Sequence, residues 1–349
     1  MSSDPTPNAR MPARASALFP STITSEQTYT GARTFLRTPR VSEAKASDFA
    51  VLGIPLDVAA SNRPGARFGP DAIRSASAQL AELKAYPGGF DPLDHVDAVD
   101  LGDVLFDYGF PQTIPSTIEA AASDVIEKGA FLCGLGGDHF ISYPLLRAQA
   151  KRHGPLALIH FDAHTDTWTP RLGPDGCVEL NHGTMFAQAI NDGIIEPKRS
   201  SQIGIRTWVD DPLGMNIFDN VAVADYGPRA VVEAVRALAG SGPCYLTVDI
   251  DCLEPAFAPG TGTPVAGGLM PRELHAMLRG LDDLNIVGCD VVEVAPPYDQ
   301  AGITALAAAT VVYEQICRLA RRRGVVPARY PVPPMSVRTY VNGGSAAAP

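Results

Sequence analysis

The stretch Leu156-Ala-Leu-Ile-His-Phe161, followed at once by Asp162-Ala-His164-Thr-Asp166, decides how the rest of the chain is read. Its first six residues are apolar apart from one histidine, show no helical period, and have Gly154-Pro155 in front of them. Such a run reads as a buried strand of a parallel sheet. Beyond it Asp162, His164 and Asp166 alternate along the chain, so an extended backbone points all three the same way. Two carboxylates and an imidazole at the end of a buried strand repel and desolvate one another unless a cation sits among them. Hard divalent metals take oxygen and imidazole ligands of this kind. Taken alone, a solvated loop that contains Asp and His is nearly as good a reading. The other motifs decide between the two.

On either side of that stretch, strands alternate with helices. Strands are expected at 49–54, 96–101, 131–135, 201–205, 220–223, 244–250 and 286–294, and helices at 113–128, 140–151, from about 183, 230–238, 272–281 and 304–322. This alternation predicts an α/β fold of three layers, α/β/α, with one mainly parallel central sheet. Ligands in such sheets bind beyond the carboxyl ends of the strands. The loop Ser61-Asn-Arg-Pro-Gly-Ala-Arg-Phe-Gly-Pro70 is turn-rich but lacks the Lys-Ser/Thr of a P-loop and the dinucleotide glycine spacing, which argues against a phosphate cradle. Residues 1–45, rich in Ser, Thr, Pro and Ala, read as an arm, disordered alone or ordered against a neighbouring subunit. Residues 46–324 read as a single domain and 325–349 as a C-terminal tail.

The 349 residues are enough for a full hydrophobic core. A net charge of -10 without a Lys/Arg stripe argues against nucleic acid and anionic membrane as partners. The six cysteines form no CxxC pair or disulfide framework, which favours a reducing compartment. No signal peptide is visible, and no segment reads as long enough to span a membrane, so a cytoplasmic protein is expected.

Four strand ends carry polar groups: His139 after Gly136-Gly-Asp; Asp162, His164 and Asp166; Asp249 and Asp251; and Glu293. Each has an ordinary explanation when isolated, as a helix-entry histidine, a loop, or a salt-bridged end of strand. All of them at strand ends of one sheet is harder to explain that way. Six metal-type ligands exceed the roughly three that a catalytic zinc keeps. They suit two divalent ions about 3.5–4 Å apart, clamping a bridging water.

Gly136-Gly-Asp-His139, Asp162-Ala-His-Thr-Asp166, Asp249-Ile-Asp251 and Val291-Val-Glu-Val294 resemble the signatures of the ureohydrolase (arginase/agmatinase) family. The likeness runs from about residue 49 to residue 318. It is nearest the agmatinase branch, through His182-Gly-Thr-Met-Phe186, Pro255-Ala-Phe-Ala-Pro-Gly-Thr-Gly-Thr-Pro264 and Ala295-Pro-Pro-Tyr-Asp-Gln300. The resemblance implies an arginase-like fold and an amidinohydrolase that cleaves a guanidino carbon–nitrogen bond to give urea and an amine. By motif, His139 and Asp166 would bind one metal, His164 and Asp251 the other, and Asp162 and Asp249 both. Manganese is usual in the family, and nickel suits the same ligands. Asp166 would accept a hydrogen bond from the nucleophile, Glu293 would grip the guanidinium, and His182 would match the family's mobile proton-shuttling histidine. His160 reads as a satisfied core residue and Asp138 as support behind the ligands. The family also implies a homotrimer or homohexamer, with a hetero-oligomer left open.

Two departures bear on the substrate. Glu254 stands where the family usually has Asp, and the segment 168–177 looks longer than its agmatinase counterpart. Trp168, and with less reason Trp208, would narrow the pocket or wall it for a cation. Agmatine therefore competes with guanidine, guanidinobutyrate, guanidinopropionate and biguanides as the small cationic substrate. A deacetylase-like amide hydrolase with one zinc needs fewer ligands than are present, and a non-catalytic subunit would be expected to have lost some.

Overall fold

The computed structural model describes residues 31, 33–42, 47–173 and 176–327. The expected arm and tail therefore lie largely outside the described residues. Within the arm, Phe35 and Leu36 are buried, and the Phe35 N–H donates to Asp100 at 2.7 Å.

Short runs of five or six residues form the first four strands: β1 (Phe49–Ile54), β2 (Ala98–Asp103), β3 (Phe131–Gly136) and β4 (Ala157–Phe161). A two-stranded hairpin follows, β5 (Arg171–Leu172) and β6 (Val178–Glu179). Then come β7 (Ser201–Ile205), β8 (Asn216–Asp219), β9 (Pro243–Asp249) and β10 (Asn285–Val292). Eight strands build one sheet in the order β2-β1-β3-β10-β9-β4-β7-β8, and every pairing in it is parallel.

The helices are α1 (Gly69–Ser77), α2 (Ile114–Glu127), α3 (Ser142–His153), α4 (Met185–Asn191), α5 (Asn220–Ala239), α6 (Pro271–Gly280) and α7 (Ile303–Arg322). Proline in the first turn of α1, α2 and α6 presets the helical φ where no backbone donor is needed. Along β1, Phe49 and Val51 join one core with Ile73, Val235, Met277 and Val312 of α1, α5, α6 and α7. Ala50, Leu52 and Ile54 join the other with Ile118, Leu146 and Phe186 of α2, α3 and α4. The period-two alternation thus feeds two apolar layers, one on each face, and the expected three-layer architecture is what the chain forms.

Two expectations are corrected. Residues 220–223 are the first turn of α5 and not a strand, because the Asp219 carboxylate caps it through the Ala222 N–H at 2.8 Å. The strand, β8, lies four residues earlier. Residues 300–322 are, by length and composition, long and apolar enough to cross a membrane, contrary to the sequence reading. In the fold, 72% of that apolar stretch is buried, and it forms the core helix α7.

Candidate metal centre and active site

β3, β10, β9 and β4 are neighbours in the middle of the sheet, and their carboxyl ends deliver His139, Glu293, Asp249 with Asp251, and Asp162 with His164 and Asp166. Gly137 lets the turn after β3 pass against β1: a Cβ there would lie 2.5 Å from the carbonyl oxygens of Ile54 and Leu56. Asp166 and Glu293 have φ of 54° and 64°, the left-handed region that non-glycine residues rarely occupy. Each such residue costs on the order of 1–3 kcal/mol, and here the cost falls on two carboxylates aimed into one site.

Two groups of donor atoms form. His139 Nδ1 lies 2.9 Å from Asp166, 3.1 Å from Asp162 and 3.2 Å from Asp249. His164 Nδ1 lies 3.1 Å from Asp251 and 3.3 Å from Asp162. Asp162 belongs to both groups, one oxygen to each. The Asp249 Oδ1 accepts the Asp251 N–H at 2.9 Å, which sets the spacing of that pair.

The hydrogen-bond network assigns the His139 proton. Thr247 donates its hydroxyl hydrogen to Asp290 at 2.5 Å, so it accepts from His139 Nε2–H at 2.9 Å. Nδ1 is then left with a lone pair, fully buried, facing three carboxylates and in hydrogen-bonding geometry with none of them. That arrangement is repulsive unless a positive charge fills it. Burial and the charges of Asp251 and Asp162 push the Asp249 carboxyl well above its usual range. Burial opposes the charge on Asp162 too, yet the imidazoles of His160, His139 and His164 hold its carboxyl well below that range. Burial would lower the His164 pKa, but Asp162 and Asp251 raise it to about 12. The donor set fits a pair of hard or borderline divalent cations.

Beside the cluster opens a cavity of about 710 Å3, lined by His164, Asp166, Asp249, Ser61, His182 and Trp168 among others. His182 Nδ1 is 2.9 Å from Glu293 Oε1, which also accepts the His139 N–H at 2.9 Å. The second Glu293 oxygen makes no hydrogen bond among the described residues. Burial works to lower the His182 pKa, and the Glu293 carboxylate overcomes it, raising the value to about 9. The Ser61 N–H points at His182 Nε2 at 3.0 Å and opposes protonation there. Trp168 walls the cavity at 39% exposure, its ring 6.1 Å from that of His164. A Cβ on Gly183 would stand 2.9 Å from the Trp168 ring, so this glycine makes room for it.

Trp208 does not line the cavity. It is 84% exposed, and among the described residues its ring N–H donates to Asp210 alone. Glu254 touches none of the cluster side chains; its carboxylate takes the Gly267 and Gly268 N–H groups at 2.7 Å and fixes the turn before α6. Asp138 is buried behind the site and accepts the Ala59 N–H at 2.8 Å. His160 is satisfied, as expected, but by the site itself. Gln202 donates to its Nδ1 at 3.1 Å, which leaves Nε2–H to donate to Asp162 at 2.6 Å. The sequence carried that signal, since His160 lies two residues before Asp162 and shares its side of the strand. Ser61, Thr247 and Asp290 had no comparable signal.

Comparisons with known proteins establish the family. The sequence model of the arginase family matches residues 47–317. An agmatinase of Chromobacterium violaceum is 49% identical over 311 residues, covering 89% of this chain and 95% of that protein. The crystal structure of a hypothetical agmatinase from Burkholderia thailandensis superposes with a TM-score of 0.83 at 50% identity, over 85% of this chain and 93% of that one. Proclavaminate amidino hydrolase from Streptomyces clavuligerus gives 0.80 at 38%, over 84% and 99%. Fold, buried cluster and relatives define a hydrolase that acts on carbon–nitrogen bonds of linear amidines. The chain belongs to the arginase family, whose members depend on a pair of metal ions.

Proposed function

We propose that the chain is an agmatinase-like amidinohydrolase that splits a guanidino compound into urea and an amine. The observation that carries this reading is the junction of two ligand groups at Asp162, beside a cavity lined by His182, whose Nδ1 lies 2.9 Å from Glu293. His139 and Asp166 would hold one ion, His164 and Asp251 the second, and Asp162 and Asp249 would reach both. Bound there, two divalent cations would supply a water acidified enough to attack at neutral pH.

The protein's own groups do the rest. The guanidinium carbon is a poor electrophile because its charge is delocalised, so it must be held in position against the nucleophile. Glu293 takes guanidinium N–H groups on its unused oxygen, in charge-assisted hydrogen bonds. Asp166 accepts a hydrogen from the nucleophile. His182, against Glu293, gives a proton to the departing amine. Trp168 covers the substrate's tail, and Arg171 and Glu179 of the hairpin stand at the cavity's edge, where tails of either charge would be told apart.

Agmatine is the substrate favoured by the relatives, with guanidine, guanidinobutyrate, guanidinopropionate and biguanides as alternatives. Manganese is the favoured ion and nickel the alternative. A homotrimer or homohexamer, a cytoplasmic location, and one catalytic domain over 46–324 complete the reading. A urea-release screen across these compounds, run separately with manganese and with nickel, tests it. Release from at least one compound is expected, and release from none would refute it.

A further inference from the structure

Asp290 is a fully buried carboxylate in the middle of the sheet, on β10, level with Thr247 of β9 and Gly134 of β3. A Cβ on Gly134 would lie 3.2 Å from the Asp290 Cβ, so this glycine leaves room for it. Three hydroxyls donate to the carboxylate. Ser142 at 2.8 Å and Tyr245 at 2.7 Å share Oδ2, and Thr247 at 2.5 Å takes Oδ1. No lysine or arginine pairs with it among the described residues. A buried charge without a partner of opposite sign is costly. Burial accordingly raises the Asp290 carboxyl above its usual range, against the pull of the His139 imidazole and the three hydroxyls.

Three donated hydrogens make Asp290 an acceptor only, which is the ionised form. Thr247 gives it the one hydrogen a hydroxyl has, and so accepts from His139 Nε2–H at 2.9 Å. The carboxylate thus sets the direction of each hydrogen bond between itself and the imidazole. It holds a hydrogen on Nε2 and turns Nδ1 to Asp162, Asp166 and Asp249. A histidine binds a cation through Nδ1 only when its remaining hydrogen is on Nε2. None of Ser142, Tyr245, Thr247 and Asp290 hydrogen-bonds to His164, whose Nδ1 faces Asp251 and Asp162.

We propose that Asp290, acting through Thr247, is the positioning residue that makes His139 a metal ligand. It raises the affinity of the His139 group for a divalent cation and leaves the His164 group unaffected. A cation in that group also supplies, at one remove, the positive charge that Asp290 lacks. Asp290 touches neither substrate nor ion; its effect passes through one hydroxyl to one imidazole. The inference rests on the reading of His139 as a ligand.

The test is manganese binding to the full chain, stripped of metal and followed by equilibrium dialysis with elemental analysis. In Asp290→Asn the amide oxygen suits the place under Ser142 and Tyr245, which leaves the NH2 group to donate to Thr247. Thr247 then turns its own hydrogen to His139 Nε2, and the ring's hydrogen moves to Nδ1, where it opposes a cation. One of two manganese ions is expected to bind about 10- to 100-fold more weakly, with the other within about threefold of the parent. Thr247→Val, which has no hydroxyl, is expected to behave alike, and Thr247→Ser to bind within about threefold of the parent. In a His139→Ala chain, adding Asp290→Asn should change the remaining ion's affinity by less than about twofold. Equal weakening of both ions, which a merely structural role would give, overturns the proposal. So does unchanged binding in Asp290→Asn, or no restoration by serine. If Asp290→Asn loses the far-UV circular dichroism of the fold, the two Thr247 variants decide alone. A parent that binds no manganese refutes the metal centre and this inference with it. A parent that binds two ions, with variants that match it, refutes the role of Asp290 alone.

Discussion

At the scale of single residues, the two ligand groups predict different losses for different aspartates. Asp162 serves both groups, so Asp162→Ala should leave no tightly held metal and no measurable turnover. Asp251 faces only His164 among the imidazoles, so Asp251→Ala should retain about one ion per chain, with turnover lowered at least a hundredfold. Elemental analysis of both variants beside urea release checks this. A second prediction concerns acid. Burial, aided by the Arg279 charge, lowers the His275 pKa from 6.5 to about 4. Between those values the unfolded chain binds more protons than the folded one, so this contribution is whole above pH 6.5 and is lost as the pH falls toward 4. His275→Gln should flatten the fall of Tm over that window by a few degrees relative to the parent. Metal-type residues such as His139 and Asp249 were legible in the sequence because alternation and strand ends announce them. Thr247 and Asp290 were not, because only the pairing of β9 with β10 brings a hydroxyl on one strand against a carboxylate on the next.

At the scale of elements, the proposed reading puts selectivity in the connection from β4 to α4. The Trp168 ring leans on Gly183, and the Trp168 backbone N–H donates to the Gly183 carbonyl at 3.1 Å. Gly183→Ala should push the indole off its place and raise KM severalfold, with metal content kept. Trp168→Ala should raise KM as well, and the double variant should be no worse than the worse single one, since both act through one contact. Steady-state kinetics on one substrate measure all three. The hairpin β5–β6 was not anticipated, because two-residue strands with exposed side chains leave no periodic pattern to read. The start of α5 was misplaced for a related reason: the β-branched residues near 221 suggest a strand, and the Asp219 cap overrides them. The long periodic and apolar segments, by contrast, came out where their patterns put them.

At the scale of the whole molecule, the sheet brings together charges that repel one another in the absence of cations. Metal should therefore stabilise the fold as well as serve the reaction, since ions that bind only the native state add to its stability. Chelation should lower Tm by several degrees, and Asp162→Ala should remove that dependence; calorimetry with and without chelator decides it. Four strands from distant parts of the chain meet at one rim in an order the sequence does not spell out, β3-β10-β9-β4. The sequence nevertheless implied their meeting, because each ended in a group too polar to be buried alone. The most direct measurement is the titration of metal-free protein with manganese, following urea release. Activity is expected to climb until about two equivalents per chain are bound. Full activity at one equivalent, or activity independent of added metal, would contradict it.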